Sequence, residues 1–212
     1  IQYDFLNLTV SNGIYRPFLW NITFRLQLSF YDKLFFYSDE TPLLNPYTNT
    51  SAIVLESAAS SLQSYANSGG KYFISTNFRF DADISGIVDI LPIASLSQKN
   101  FGSCRLWSDP NRGDSAMIPV DSTFPRLQTQ FSALTGVPVF NINESDTEVL
   151  YRGQLSDGAN TRAWPDTKII ASGRRRNGRL NQVFFSTPLF ELNRNPATLV
   201  SLFDRIFNVE FN

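Results

Sequence analysis

One stretch of the chain, residues 30–76, constrains the possible folds more than any other part of the sequence. It reads as a strand, a long loop, a helix, a stop at Gly69-Gly70, and a second strand that ends in the small polar residues Ser75 and Thr76. Strands that are joined through a helix run parallel in one sheet. In open α/β sheets, ligands and nucleophiles lie at the carboxyl ends of such strands. The stretch therefore predicts an α/β fold and directs attention to Ser75.

Length and composition favour a single domain that spans residues 1–212. The chain is 42% hydrophobic with 19 Phe, enough for a large core. A net charge of −1 argues against binding to nucleic acid or to an anionic membrane. No run of about 20 apolar residues is present, so we expect no transmembrane segment. Because the sequence begins at Ile1 without Met, we expect a mature or excised fragment of a longer chain.

The residue types that are missing exclude several kinds of chemistry. The chain has no His, one Cys, and no P-loop, Gly-x-Gly-x-x-Gly or Cys-x-x-Cys motif. We therefore expect neither a metal site nor a cofactor. Cys104 lies outside any strand-to-helix turn, so a packed thiol is favoured over a reactive one.

Hydrophobic periodicity and turn residues predict the order of the elements. In the first half they indicate strands at residues 3–10, 33–37 and 72–74, and helices at 18–30 and 51–67, the second capped by Ser51. In the second half they indicate a short helix after Leu91-Pro92-Ile93, a helix at 125–134, strands at 137–142, 147–151 and 168–172, and a C-terminal helix at 196–207. Asn177-Gly178 predicts a hairpin between residues 168–172 and 179–186. The pattern predicts a three-layer α/β/α sandwich with a mostly parallel sheet and one antiparallel hairpin.

Three segments resemble the class I glutamine amidotransferase-like (flavodoxin-like) family. Residues 29–39 are similar to the strand that follows a Tyr-Asp pair in that family. Residues 55–76 resemble its helix, its Tyr-x-x-x-Gly-Gly-Lys stop and its elbow strand. Residues 183–190, with the sequence Val-Phe-Phe-Ser-Thr-Pro-Leu-Phe, resemble its late strand before a final helix.

The resemblance implies a fold more directly than it implies an activity. Active members carry a Cys nucleophile after the elbow strand and a downstream His, whereas this chain has Ser75-Thr76-Asn77 there and no His. The likeness is to bacterial domains that belong to larger secreted proteins or lipoproteins, beside immunoglobulin-like modules. It therefore implies a non-catalytic module in an extracytoplasmic protein (periplasmic, cell-surface or secreted), with other domains of its own chain as partners.

The catalytic candidates are Ser75, Asp39 and Glu40, and each has a structural interpretation that we favour. Ser75 lacks a histidine base, and Lys71 lies at the opposite end of the same strand, roughly 13 Å away. Asp39 and Glu40 follow the neighbouring strand, but adjacent residues point to opposite sides and suit a turn better than an acid/base pair.

The binding candidates are Thr76 and Asn77 at the strand end and Trp107 and Trp164 in polar loop segments. Loop tryptophans can stack on sugar rings or cover the edge of a core. The arginines at positions 174–176 and 179 are typical of a solvated hairpin tip.

Three hypotheses for the function remain open. The leading one is a non-catalytic binding or scaffolding module. The second is a histidine-free hydrolase acting on glycans or acyl groups through Asp39, Glu40 and Ser75. The third is a carbohydrate-binding module that uses Trp107 and Trp164.

Overall fold

The fold is described from a computed structural model. The described residues are 3–6, 9–10, 14–15, 22–38, 43–44, 51–52, 54–76, 87–96, 105–107, 117–131, 133–156 and 165–212.

The strands of this part of the chain are β1 (Thr9–Val10), β2 (Ile14–Tyr15), β3 (Lys33–Ser38), β4 (Leu43–Leu44), β5 (Ser51–Ala52), β6 (Lys71–Thr76), β7 (Ser95–Leu96), β8 (Arg105–Trp107), β9 (Met117–Pro119), β10 (Ala133–Thr135), β11 (Phe140–Asn141), β12 (Thr147–Gly153), β13 (Leu155–Ser156), β14 (Lys168–Arg176) and β15 (Arg179–Phe185). The α-helices are α1 (Ile22–Leu28), α2 (Val54–Asn67) and α3 (Pro196–Asp204), and a π-helical segment, Arg205–Glu210, continues α3. Short 3-10 turns lie at Val88–Ile90 and Leu189–Leu192.

Six of these strands form the central sheet, in the order β3-β6-β15-β14-β12-β9. The pairs β3–β6 and β6–β15 are parallel, and β15–β14, β14–β12 and β12–β9 are antiparallel. The sheet is therefore mixed, and the prediction of a mostly parallel sheet was wrong. Strand β9 was not predicted, because its pairing with β12 depends on contacts that are distant in sequence.

Strand β6 lies in the interior of the central sheet and is buried on both faces. Tyr72, Phe73 and Ile74 are each 0% exposed. Tyr72 and Ile74 belong to a hydrophobic core that includes Phe24 of α1 and Leu62 of α2. Phe73, which points to the opposite face by the period-2 alternation of a strand, belongs to a second core that includes residues of α3. Helices therefore cover both faces of β6, as an apolar run without alternation indicates.

A row of aromatic rings crosses the central sheet on the face covered by α3. The ring centroid of Phe73 lies 5.1 Å from that of Phe35 and 5.1 Å from that of Phe185, and Phe185 lies 5.2 Å from Tyr151. The last pair bridges β14, where Ala171 is the register partner of both Phe185 and Tyr151. The small side chain of Ala171 thus leaves room for the two rings to meet.

Helix α2 ends in a Schellman motif formed by the Gly-Gly pair. Gly70 donates its N–H to Tyr65 O at 3.0 Å, and Gly69 donates to Ala66 O at 3.0 Å. Gly69 has φ of +92°, which glycine adopts without the strain of a β-carbon. The predicted stop is confirmed, and it leads directly into β6.

Several predicted elements are confirmed, with shifts at their ends. They are β3, α2, β6, the hairpin of β14 and β15, and α3. Asn177 (φ 54°) and Gly178 (φ 79°) both have positive φ, as a tight hairpin turn of this type requires. The described part of the predicted helix at 18–30 is α1, which ends at Leu28.

Other predicted elements were wrong, mostly because backbone pairing with distant segments overrides the local sequence pattern. Residues 125–131 contain no helix; Leu127 exchanges two backbone hydrogen bonds with Met117, and burial alternates along residues 127–130. Ser51 does not cap α2, because it lies in β5 and pairs with Leu44. The 3-10 turn at Val88–Ile90 comes before Leu91-Pro92 rather than after it. Residues 3–6 are exposed and lie outside any strand.

The Gly-Gly stop gives a first testable prediction. A β-carbon at Gly70 would overlap the ring of Tyr65, a buried side chain, whereas one at Gly69 would meet nothing within 4 Å. Gly70→Ala should therefore lower the free energy of unfolding by about 1–3 kcal/mol through overpacking, measured by urea denaturation.

The matched control is Gly69→Asn, which adds a larger side chain to open space at a positive φ that Asn tolerates better than other residues. It should cost less than Gly70→Ala. A larger loss for Gly69→Asn would contradict the assigned packing of Tyr65.

Candidate functional site

The carboxyl end of β6, where a ligand is expected, is filled by the chain itself. Ser75 is 0% exposed. Its hydroxyl donates to Thr187 O at 3.0 Å and accepts from Leu189 N–H at 3.1 Å. Both hydrogen-bonding roles of the hydroxyl are thus taken by the backbone of the segment that follows β15.

Other buried hydroxyls at this edge tie the strands to the segments around them. Ser38 and Thr76 are register partners on β3 and β6, and their hydroxyl oxygens lie 2.8 Å apart. Ser186 donates to Pro138 O at 2.9 Å, and Ser172 donates to Pro92 O at 2.5 Å. Ser186, just after β15, and Ser172, inside β14, thus give hydrogen-bond partners to backbone carbonyls of neighbouring segments.

Lys71, the lysine considered as a base for Ser75, is engaged at the other end of β6. Its ammonium donates to the backbone carbonyl of Phe211. The neighbouring Lys33 donates to Phe207 O at 2.7 Å, so both cations bind the C-terminal helical segment. Burial and the adjacent charge of Lys71 lower the pKa of Lys33.

Of the other predicted site residues, only Thr76 and Trp107 are described. Asp39, Glu40, Asn77, Trp164 and Cys104 lie outside the described residues. Trp107 lies on β8, where it is the register partner of Ala133, so its assignment to a loop was wrong. The alternation that marks a strand is not visible in the three residues of β8, which explains the error.

An open cavity of about 380 Å³ lies instead along β12, and we call it the β12 groove. Its apolar lining comes from Val120, Phe124, Ile142, Val149 and Leu150. Its charged lining comes from Asp121, Glu144, Glu148, Arg152 and Arg175. Cavities of this size hold small molecules or short peptide segments.

The β12 groove exists because β9 leaves β12 early. The last hydrogen bond between the two segments is the one that Val120 N–H donates to Leu150 O, at 2.9 Å. Asp121 then accepts a hydrogen bond from Thr123 N at 2.8 Å through its Oδ1 and one from Phe124 N at 3.0 Å through its carbonyl, which makes a tight turn. The turn leads the chain away, and no other described strand pairs with the first half of β12 on that side.

A network of arginines and carboxylates borders the β12 groove. The Nε of Arg175 lies 2.9 Å from Oε1 of Glu148, and its Nη1 lies 2.9 Å from Oε2 of Glu210. Arg205 Nη2 lies 2.6 Å from the other oxygen of Glu210, and its guanidinium stacks over the ring of Phe124 at 5.3 Å. The carboxylate of Glu210, whose side chain is 6% exposed, is thus shared between two cations.

Two charged groups at the groove have shifted pKa values. Burial by itself would lower the pKa of Arg175, but its contacts with Glu148 and Glu210 outweigh burial and raise it. Hydrogen bonds from the backbone and side chain of Thr123 lower the pKa of Asp121, with a smaller contribution from the charge of Arg205.

Two charged residues of the β12 groove stand apart from the network. Arg152 is partly buried, and it forms no ion pair or hydrogen bond with any residue in the described ranges. Glu144 is exposed and has no such partner within the same ranges. An unpaired guanidinium with apolar neighbours can bind a carboxylate by donating two parallel N–H···O hydrogen bonds to it.

The sequence predicted a strand at residues 147–151 but not the β12 groove. The one signal of the groove in the sequence is Arg152, a cation that directly follows an apolar run. The hairpin arginines were predicted to be solvated, and Arg175, Arg176 and Arg179 are exposed. The structure adds that Arg174 lies 3.0 Å from Asp146 and that Arg175 joins the network.

The described residues contain no group of three or more His, Cys, Asp or Glu placed to hold a metal ion. None of the helices described is both long and apolar enough to cross a membrane. No protein-family model matches the chain, and no curated protein matches it either.

The Glu210 network gives a second testable prediction. Glu210→Gln keeps the shape of the side chain but removes the charge shared by Arg175 and Arg205. Because both arginines retain some exposure to water, the free energy of unfolding should fall by about 1.5–3 kcal/mol rather than by the larger loss of a fully buried pair.

Glu144→Gln is the matched control, since Glu144 is exposed and unpaired among the described residues. Urea denaturation should place it within about 0.5 kcal/mol of the unmodified protein. Equal losses for the two variants would show that the network contributes no stability.

Proposed function

We propose that the chain is a non-catalytic domain of the class I glutamine amidotransferase-like type, with a three-layer α/β/α arrangement. It acts as a binding or scaffolding module within a larger bacterial protein. The extracytoplasmic location and the neighbouring domains as partners are part of the proposal, and they rest on the sequence resemblance.

The observation that carries the proposal is the burial and hydrogen bonding of the Ser75 hydroxyl. A serine nucleophile needs a base to take its proton and an open site for the substrate. Here the hydroxyl is buried and held between Thr187 O and Leu189 N, and the chain contains no histidine. The hydroxyl has the role of a structural connector between β6 and the segment after β15.

Two further features support the amidotransferase-like fold. The strands β3, β6 and β15 are parallel neighbours, and helices contribute to the cores on both of their faces. Two of the three segments that carry the resemblance, the elbow strand and the late strand, are adjacent in the sheet and joined through Ser75. An α/β framework of this kind without a histidine base supports a binding role rather than catalysis.

The test is a Ser75→Ala variant assayed on a panel of amide, ester and glycoside substrates. We expect no turnover by either protein. We also expect the variant to lose about 1–3 kcal/mol of unfolding free energy, because Leu189 N–H and Thr187 O lose their buried partner.

Ser60→Ala is the control for stability, because Ser60 is an exposed residue of α2 and its replacement should change unfolding by about 0.5 kcal/mol or less. Turnover by the unmodified protein that disappears in Ser75→Ala would overturn the proposal and favour the histidine-free hydrolase.

A further inference from the structure

We propose that the β12 groove binds a short zwitterionic peptide, with the peptide carboxylate on Arg152. The inference deepens the binding role proposed above and rests on it. It assigns the chemical class of the ligand and the place where the ligand binds.

The first argument is the charge balance of the groove. Arg175 already contacts two carboxylates and also donates to Gly178 O at 3.1 Å, so it has little capacity left for a ligand. Arg152 has no partner among the described residues although it is partly buried. None of the Arg152 side-chain nitrogens is among the fully buried atoms that lack a hydrogen-bond partner, so the guanidinium stays in contact with water and is accessible to a ligand. A bound carboxylate would give it two charge-assisted hydrogen bonds.

The second argument is the opposite charge on the same lining. The groove carries Asp121, Glu144 and Glu148 against Arg152 and Arg175, so its lining is net negative by one charge. A purely anionic ligand such as inorganic phosphate would be repelled by the unpaired Glu144. A ligand that carries an ammonium group as well as a carboxylate satisfies both unpaired groups.

The third argument is the space between the charges. Val120, Ile142 and Val149 contribute apolar surface to a cavity of about 380 Å³. Val120 is 61% exposed, so a ligand in the groove would remove apolar surface from water. A dipeptide with aliphatic side chains combines this apolar part with the two charged ends and matches the size of the cavity.

The experiment is a calorimetric titration of the protein with the dipeptide leucyl-leucine. We expect a dissociation constant on the order of 0.1–1 mM, as befits a small ligand in an open groove. The C-amidated dipeptide lacks the carboxylate and should bind about tenfold more weakly or worse, a comparison that needs no variant.

Arg152→Gln should weaken binding of leucyl-leucine by about tenfold or more. Arg25→Gln is the matched control, because it removes the same charge from an exposed position on α1 and should leave the dissociation constant unchanged. Thermal unfolding of both variants verifies that they are folded.

Three outcomes would overturn the inference: no binding of leucyl-leucine at 10 mM (about ten times the weakest constant expected), equal binding of the amidated dipeptide, or equal binding by Arg152→Gln. Tighter binding of inorganic phosphate than of the dipeptide would also overturn it. Each of these results leaves the non-catalytic proposal intact, which depends on the turnover assay of Ser75→Ala.

Discussion

Strand β6 is buried on both faces and paired along both edges, and much of the architecture depends on that constraint. Its side chains Tyr72, Phe73 and Ile74 need apolar cover on two sides, which α1 and α2 provide on one face and α3 on the other. Burying one large apolar side chain contributes about 1.5–3 kcal/mol, whereas an exposed ion pair contributes about 0–1 kcal/mol. The aromatic row through Phe73 therefore matters more to stability than the charged surface does.

The two ends of β6 are closed by different chemistry. At the amino end, Lys33 and Lys71 are register partners and donate to the carbonyls of Phe207 and Phe211. Carbonyls near the end of a helix carry partial negative charge and stabilise nearby cations. At the carboxyl end, the hydroxyl of Ser75 binds the backbone after β15. The usual ligand position of an α/β sheet is thus occupied, and the open cavity lies at β12 instead.

The elements that the sequence predicted correctly are those with a strong local cause. The Gly-Gly stop after α2, the Asn-Gly turn between β14 and β15, and the apolar run of β6 all act within a few residues. The incorrect predictions concern segments whose conformation depends on backbone pairing with a distant part of the chain. Leu127 is extended because it bonds to Met117, and Ser51 belongs to a strand because Leu44 lies opposite it. Of the predicted site residues, three are described: Ser75 and Thr76 are buried, and Trp107 lies on β8.

The sequence by itself determined that histidine-based catalysis is absent and that a strand, a helix and a second strand form a parallel unit, because residue types and short-range periodicity are sufficient for both conclusions. The tertiary structure alone decided what the polar groups do. Ser75 meets Thr187 across 112 positions of the chain, and Arg175 meets Glu210 across 35. Burial and ion pairing depend on such distant neighbours, so only the folded chain distinguishes the occupied hydroxyl of Ser75 from the unpaired guanidinium of Arg152.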